Sequence, residues 1–110
     1  MYISTTIYIG LDDQDAKKQV IKTTDARARI VNSLFFYGFQ FATISDARGV
    51  YKYQDGKTAY EKTIKIEIIQ TARESIKTRH NVDALRKSLK KQLNQETIAI
   101  KKTLCFFNCR

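Results

Sequence analysis

Alternating apolar and polar positions mark the strands of this chain. In Thr63–Ile69 the residues Ile64, Ile66 and Ile68 alternate with Thr63, Lys65 and Glu67, the period of two that a half-buried strand requires. Tyr2–Ile9 repeats the pattern, with Ile3, Thr5, Ile7 and Ile9 on one face and Tyr2, Ser4, Thr6 and Tyr8 on the other, and Gly10 ends it. Phe39–Ile44 reads as another strand, joined to Thr63–Ile69 by a long polar excursion in which Asp55-Gly56 is a strong turn signal. Thr97–Lys101 is the fourth, with Ile98 and Ile100 inward, and Leu104-Cys105-Phe106-Phe107 either continues it beyond a kink or makes a short fifth strand.

Two segments carry helical spacing instead. Ile30, Val31, Leu34 and Phe35 predict a helix capped by Thr24 or Asp25 and running to about Tyr37, with Arg27 and Arg29 toward solvent. Gly38 stands where a left-handed C-terminal residue is needed. Val82, Leu85, Leu89 and Leu93 predict a second helix, N-capped by Asn81 and stopped at Asn94. Leu11–Thr23 reads as a loop with a short extended piece at Gln19–Ile21, and Gln70–His80 as a polar connection. The order strand, helix, strand, strand, helix, strand predicts an α+β, ferredoxin-like βαββαβ fold, with two helices on one face of a four-stranded antiparallel sheet. Two small helices cannot cover all of Phe39, Phe41, Tyr2 and Tyr8. Some of these aromatics therefore fall on the open face, and a homo-oligomer is expected, most simply a two-fold dimer.

Composition narrows the picture. The 110 residues, 43% of them apolar and none proline, suit one folded domain spanning residues 1–110. No apolar run reaches the ~18 residues of a membrane span, and no basic-then-apolar segment opens the chain, so no membrane partner and a cytoplasmic setting are expected. Cys105 and Cys109 would close too small a loop to stabilise much, and free thiols are expected. The net charge of +9, from 20 Lys and Arg against 11 Asp and Glu, favours an anionic partner. The excess is greatest after Ser75.

No catalytic constellation is legible. His80 has no neighbouring ligand at metal spacing, Cys105 reads as core filler, and Gly49 and Gly56 read as a bend or bulge and a turn, with no phosphate-cradling spacing. These readings give no catalytic residue, no metal and no cofactor, and the chain is expected to be a binding protein and not an enzyme. Two surfaces remain. The excursion between strands carries Arg48, Lys52, Lys57 and Lys62 interleaved with Tyr51, Tyr53 and Tyr60, which matches an anionic aromatic ligand because Arg forks onto phosphate and tyrosine stacks on a base. Arg86, Lys87, Lys90 and Lys91 form a secondary basic face on the second helix. The structural alternatives are a hairpin whose tyrosines pack across strands or against another subunit, and a solvated outer helix face.

Asp46-Ala47-Arg48-Gly49-Val50-Tyr51 running into Lys65–Ile69, together with Leu93–Ile100, resembles a family of small phage and bacterial proteins with a ferredoxin-like fold and no assigned activity. The first stretch is also similar to the nitrogen-regulatory PII proteins, in which a glycine-containing segment leaves the second strand as a long mobile loop and returns through a lysine-rich third strand. Asn94-Gln95-Glu96-Thr97 lacks the glycine-rich phosphate-binding element of PII proteins, so their nucleotide site does not transfer residue by residue. The resemblance implies a trimer as the alternative to a dimer. Its phage side implies interference with a host process, such as capture of a nucleotide signal of host defence in the host cytoplasm. The competing reading is a protein that binds nucleic acid or blocks a host complex that handles it.

Overall fold

A computed structural model describes residues 1–52 and 54–105. The elements are β1 (Tyr2–Gly10), α1 (Thr23–Phe36), β2 (Thr43–Lys52), β3 (Thr58–Thr71), α2 (Ala72–Lys77), α3 (Arg79–Gln92) and β4 (Ala99–Cys105). The strands form one antiparallel sheet in the order β2-β3-β1-β4. This is the ferredoxin-like arrangement, with the second helical unit divided into α2 and α3. No helix among the described residues is long and apolar enough to cross a membrane.

The register explains the core. Ile7 pairs with Ile66 and Ile100, and Ile9 with Ile64. Residues opposite one another share a sheet face, so one face of β1 and β3 is isoleucine. Ala26, Ile30 and Leu34 of α1 and Val82, Leu85 and Leu89 of α3 close over it. The opposite face carries Ser4, Thr6 and Tyr8 from β1, Lys65 and Glu67 from β3, and Lys101 and Thr103 from β4. No helix of the described residues lies on it.

Several boundaries differ from the sequence expectation. The second strand is Thr43–Lys52, not Phe39–Ile44. After α1 the chain turns at Gly38, which has φ of 89°, a left-handed value that glycine adopts without Cβ strain. The N–H of Phe39 then returns to the Leu34 carbonyl at 2.9 Å, and the Phe39 ring plugs the core at 4% exposure. The expected excursion is mostly a regular two-stranded ribbon. Pairs from Arg48–Lys62 to Lys52–Thr58 extend beyond the end of β1, and Gly49 sits in register opposite Glu61. Gly56 (φ 88°) and an N–H bond from Lys57 to Asp55 Oδ1 close the turn. Phe35, expected inward, is 63% exposed, and Phe36 is 81% exposed, because the buried stripe of α1 runs through Ala26, Ile30, Ser33 and Leu34.

The polar connection Gln70–His80 is instead the end of β3, the helix α2 and the start of α3. Thr71 Oγ1 accepts from the Glu74 N–H, and Glu74 Oε1 accepts from the Thr71 N–H, both at 3.1 Å. This reciprocal box starts α2 without an apolar stripe. Asn81 does not cap α3. It lies inside the first turn, and its amide donates to the Tyr37 carbonyl at 3.0 Å. Asn94 does end the helix, with φ of 48°. β4 continues through Leu104 to Cys105, while Phe106, Phe107 and Cys109 lie outside the described residues.

Candidate functional site

A cleft of about 520 Å³ opens where the ribbon leaves the sheet. Its walls come from four places. Tyr8 and Gly10 close β1, Gly49, Tyr51, Glu61 and Thr63 form the root of the ribbon, and Gln95, Glu96 and Thr97 follow α3. The loop after β1 completes it with Asp12, Asp13, Gln14 and Lys17.

Glu61 lines the cleft and is held from the loop after β1. Its Oε2 accepts the Asp12 N–H at 2.8 Å. Its carboxylate lies directly over Gly10, where any Cβ would collide with it. Glycine at position 10 is therefore what lets a carboxylate cross the end of β1.

The loop is held just as firmly. Gln95, 7% exposed, donates from Nε2 to the Asp12 carbonyl at 2.7 Å. Asn94 Nδ2 donates to Asp13 Oδ1 at 2.8 Å and to Asp15 Oδ2 at 2.9 Å, while its Oδ1 accepts from Gln14 Nε2 at 2.7 Å. The left-handed backbone of Asn94 turns this side chain onto the loop. Asp13 Oδ2 also accepts the Asp15 and Ala16 N–H groups. The Ala16 N–H first, and then the Asn94 amide, hold the Asp13 carboxyl below its ordinary value.

The cleft has a charge sign of its own. Asp12, Asp13, Glu61 and Glu96 face Lys17 and Arg48, so carboxylates outnumber cations there although the chain is at +9.

The sequence-predicted residues separate accordingly. Arg48 and Tyr51 line the cleft, and Lys52, Lys57 and Lys62 do not. Arg48, Lys52 and Lys62 share the ribbon face opposite to that of Tyr51, and the Arg48 guanidinium sits over the Tyr60 ring, 5.9 Å from its centroid. Tyr53 lies outside the described residues. On α3, Arg86 and Lys87 are paired with Asp83 at 2.8 and 3.0 Å. These contacts, Arg86 first, hold the Asp83 carboxyl below its ordinary value. Lys90 is half-buried and Lys91 is exposed. Among the described residues no group of three or more His, Cys, Asp or Glu is disposed to hold a metal ion.

Sequence reasoning missed Gly10, Asp12, Glu61, Asn94 and Gln95. The signal present was a glycine followed by paired aspartates after a strand, and an Asn-Gln-Glu run after a helix. Neither is diagnostic until the fold brings the two segments together.

No family model matches the chain, and no curated protein matches it. Solved structures do. A phage SAM lyase in complex with S-methyl-5'-thioadenosine is 22% identical over 93% of this chain and 80% of its own, with a TM-score of 0.65. The same kind of lyase in its apo state gives 24% identity and a TM-score of 0.69, over 92% and 78% of the two chains. GlnK of B. subtilis, in complex with ATP, is 14% identical over 93% and 81%, with a TM-score of 0.55. CutA of Synechococcus elongatus is 12% identical over 94% and 76%, also at 0.55. These likenesses establish the shared ferredoxin-like fold, which GlnK and CutA also have. They also overturn the expectation that the chain is not an enzyme. That expectation rested on the lack of a familiar nucleophile or metal set, and the lyase shows that this fold also serves catalysis.

Proposed function

We propose that the chain binds S-adenosylmethionine in the cleft rooted at Glu61 and cleaves it to S-methyl-5'-thioadenosine. The observation that carries this reading is the sign of the cleft, a concentration of carboxylates in a strongly basic chain. A polyphosphate nucleotide is repelled by four carboxylates, whereas a sulfonium nucleoside bearing an ammonium group is attracted. The likeness to a lyase bound to that thioether product supports the same choice.

The chemistry suits a site without a nucleophile–base pair. Sulfonium is already an activated leaving group. Breaking its bond to the γ-carbon of the methionine moiety returns the electron pair to sulfur and leaves a neutral thioether. The substrate's own carboxylate can fill the vacated position on that carbon, closing a lactone with no water consumed. The protein then has to hold the adenosine, align the carboxylate behind the C–S bond and exclude water. The positive charge on sulfur disappears in the transition state, so a carboxylate pressed against sulfur would stabilise the reactant instead. Glu61 and Asp12 are accordingly assigned to the ribose hydroxyls and the ammonium group. Tyr51 and Tyr8 supply stacking surface for adenine. The expected action against a host process is then met by depleting a methyl donor, not by sequestering a defence signal.

The test is to incubate purified protein with S-adenosylmethionine and follow the thioether by chromatography and mass spectrometry. Glu61→Gln keeps the shape of the side chain and removes its charge, and because the carboxylate is assigned to holding the substrate it is expected to weaken binding and raise KM about tenfold to a hundredfold, the scale of losing a charge-assisted hydrogen bond. The reading fails if the wild type forms no thioether and calorimetry detects no binding of S-methyl-5'-thioadenosine.

A further inference from the structure

The cleft uses acidic residues, which leaves the positive charge of the chain elsewhere. The three helices carry nine Lys and Arg against three carboxylates. Asp83 is occupied by Arg86 and Lys87, and Glu74 by the cap of α2. Around the junction of α2 and α3, Arg73, Lys77, Arg79 and His80 are all exposed. The same end of the helical layer carries large apolar side chains in water. Phe35, Phe36 and Phe41 are 63%, 81% and 72% exposed. They meet the basic junction directly, because the Asn81 amide ties the start of α3 to the Tyr37 carbonyl. Phe41 and Lys77 also line one hollow of about 290 Å³. An adjoining hollow of about 170 Å³ lies between Phe35 and Phe41.

We infer that this end of the helical layer is a second binding surface, and that its occupant is single-stranded nucleic acid. Exposed phenylalanine rings offer faces on which bases stack, and a rim of lysine and arginine tracks the phosphates between them. A duplex hides its base faces and would leave the rings unused. The surface is formed by α1, α2, the start of α3 and the segment before β2. The cleft lies at the root of the ribbon and shares none of the residues named here, so the two sites can be tested separately.

The experiment is fluorescence anisotropy with a short labelled oligothymidylate, read at several salt concentrations. Contact of Arg73, Lys77 and Arg79 with about three phosphates predicts a log–log salt slope near −2. Lys77→Glu combined with Arg79→Glu should flatten that slope and abolish most of the binding. Phe36→Ala and Phe41→Ala should each weaken binding about tenfold or more with the slope unchanged, the signature of lost stacking. All four positions are exposed, and circular dichroism should show an unchanged fold. Binding of S-methyl-5'-thioadenosine should be unaffected, so failure here leaves the cleft assignment standing, and the reverse holds too. No anisotropy change at low salt would overturn the inference. So would equal loss on a Lys101→Glu control from the opposite sheet face, or phenylalanine variants that change only the oligomeric state.

Discussion

At the scale of single residues, the core holds one discordant atom. Thr5 is 1% exposed on the isoleucine face of β1, and its Oγ1 has no hydrogen-bond partner among the described residues. A buried hydroxyl without a partner costs about 1–3 kcal/mol of desolvation. Thr5→Val has nearly the same shape and removes the polar atom. It is expected to raise stability by about 1 kcal/mol, or the melting temperature by ~4 °C for a chain of this size, as read by calorimetry. A loss of stability would mean that the hydroxyl has a bound water worth more than its desolvation. Glu61 is the opposite case, a charged group whose partner is a backbone N–H and whose place is cut by the missing side chain of Gly10. Neither feature can be read from residue type. Thr5 sits in a perfect alternation, and Glu61 looks like one more polar position between Tyr60 and Lys62.

At the scale of elements, strands with one dry face were legible and strands with two wet faces were not. β1 and the sheet half of β3 alternate because isoleucine must face the helices. The ribbon half of β2 has solvent on both sides, so its residues show no period, and the sequence reads as a loop. The helix α2 escaped for the same reason, since Ile76 is 69% exposed, yet its Thr71-Ala72-Arg73-Glu74 box stands in the sequence as a start signal. Half of the cleft was hidden because its loop is ordered from a distance, by Asn94 and Gln95. That clasp makes a prediction. Asn94→Gly keeps the left-handed backbone and loses the amide bonds, so ligand binding should weaken with little change in stability. Asn94→Ala should lose both, at about 1–2 kcal/mol of stability from the left-handed strain. If both variants bind ligand as the wild type does, the clasp does not organise the site. Acid should loosen the same loop. The pKa of Asp13 is depressed in the folded chain below its ordinary 3.8. Its stabilising bonds are therefore fully present above that value and are lost as pH falls through the lower folded value. Hydrogen exchange of the Ala16 N–H should accelerate over that interval, beyond its intrinsic acid dependence, and not near neutrality.

At the scale of the whole molecule, helices cover the sheet on one side only among the described residues. The other face is not a solvent face of the ordinary kind. Ser4 and Thr6 are only 7% exposed there, and Ser4 Oγ donates to Glu67 Oε2 at 3.0 Å. Lys65, Glu67 and Lys101 surround a hollow of about 350 Å³ that also takes in Tyr8 and Ile69. Half-buried Tyr8 and Ile69 offer apolar contact, and the mixed charges can pair across copies, Lys65 of one against Glu67 of another. Tyr8 belongs to the cleft as well, so a second copy seated on this face would wall the ligand site and exclude water from it. Assembly and ligand binding should then be linked, each strengthening the other. Sedimentation at tens of micromolar is expected to give a multiple of 12.8 kDa, a dimer or the trimer that the PII resemblance implies. Adding S-methyl-5'-thioadenosine should shift the association to lower protein concentration. Glu67→Arg leaves three like charges on the face and should return the chain to monomer while weakening ligand binding. A stable monomer in the wild type would remove this face from the assembly. An oligomer whose dissociation leaves ligand affinity untouched would place the site wholly within one chain.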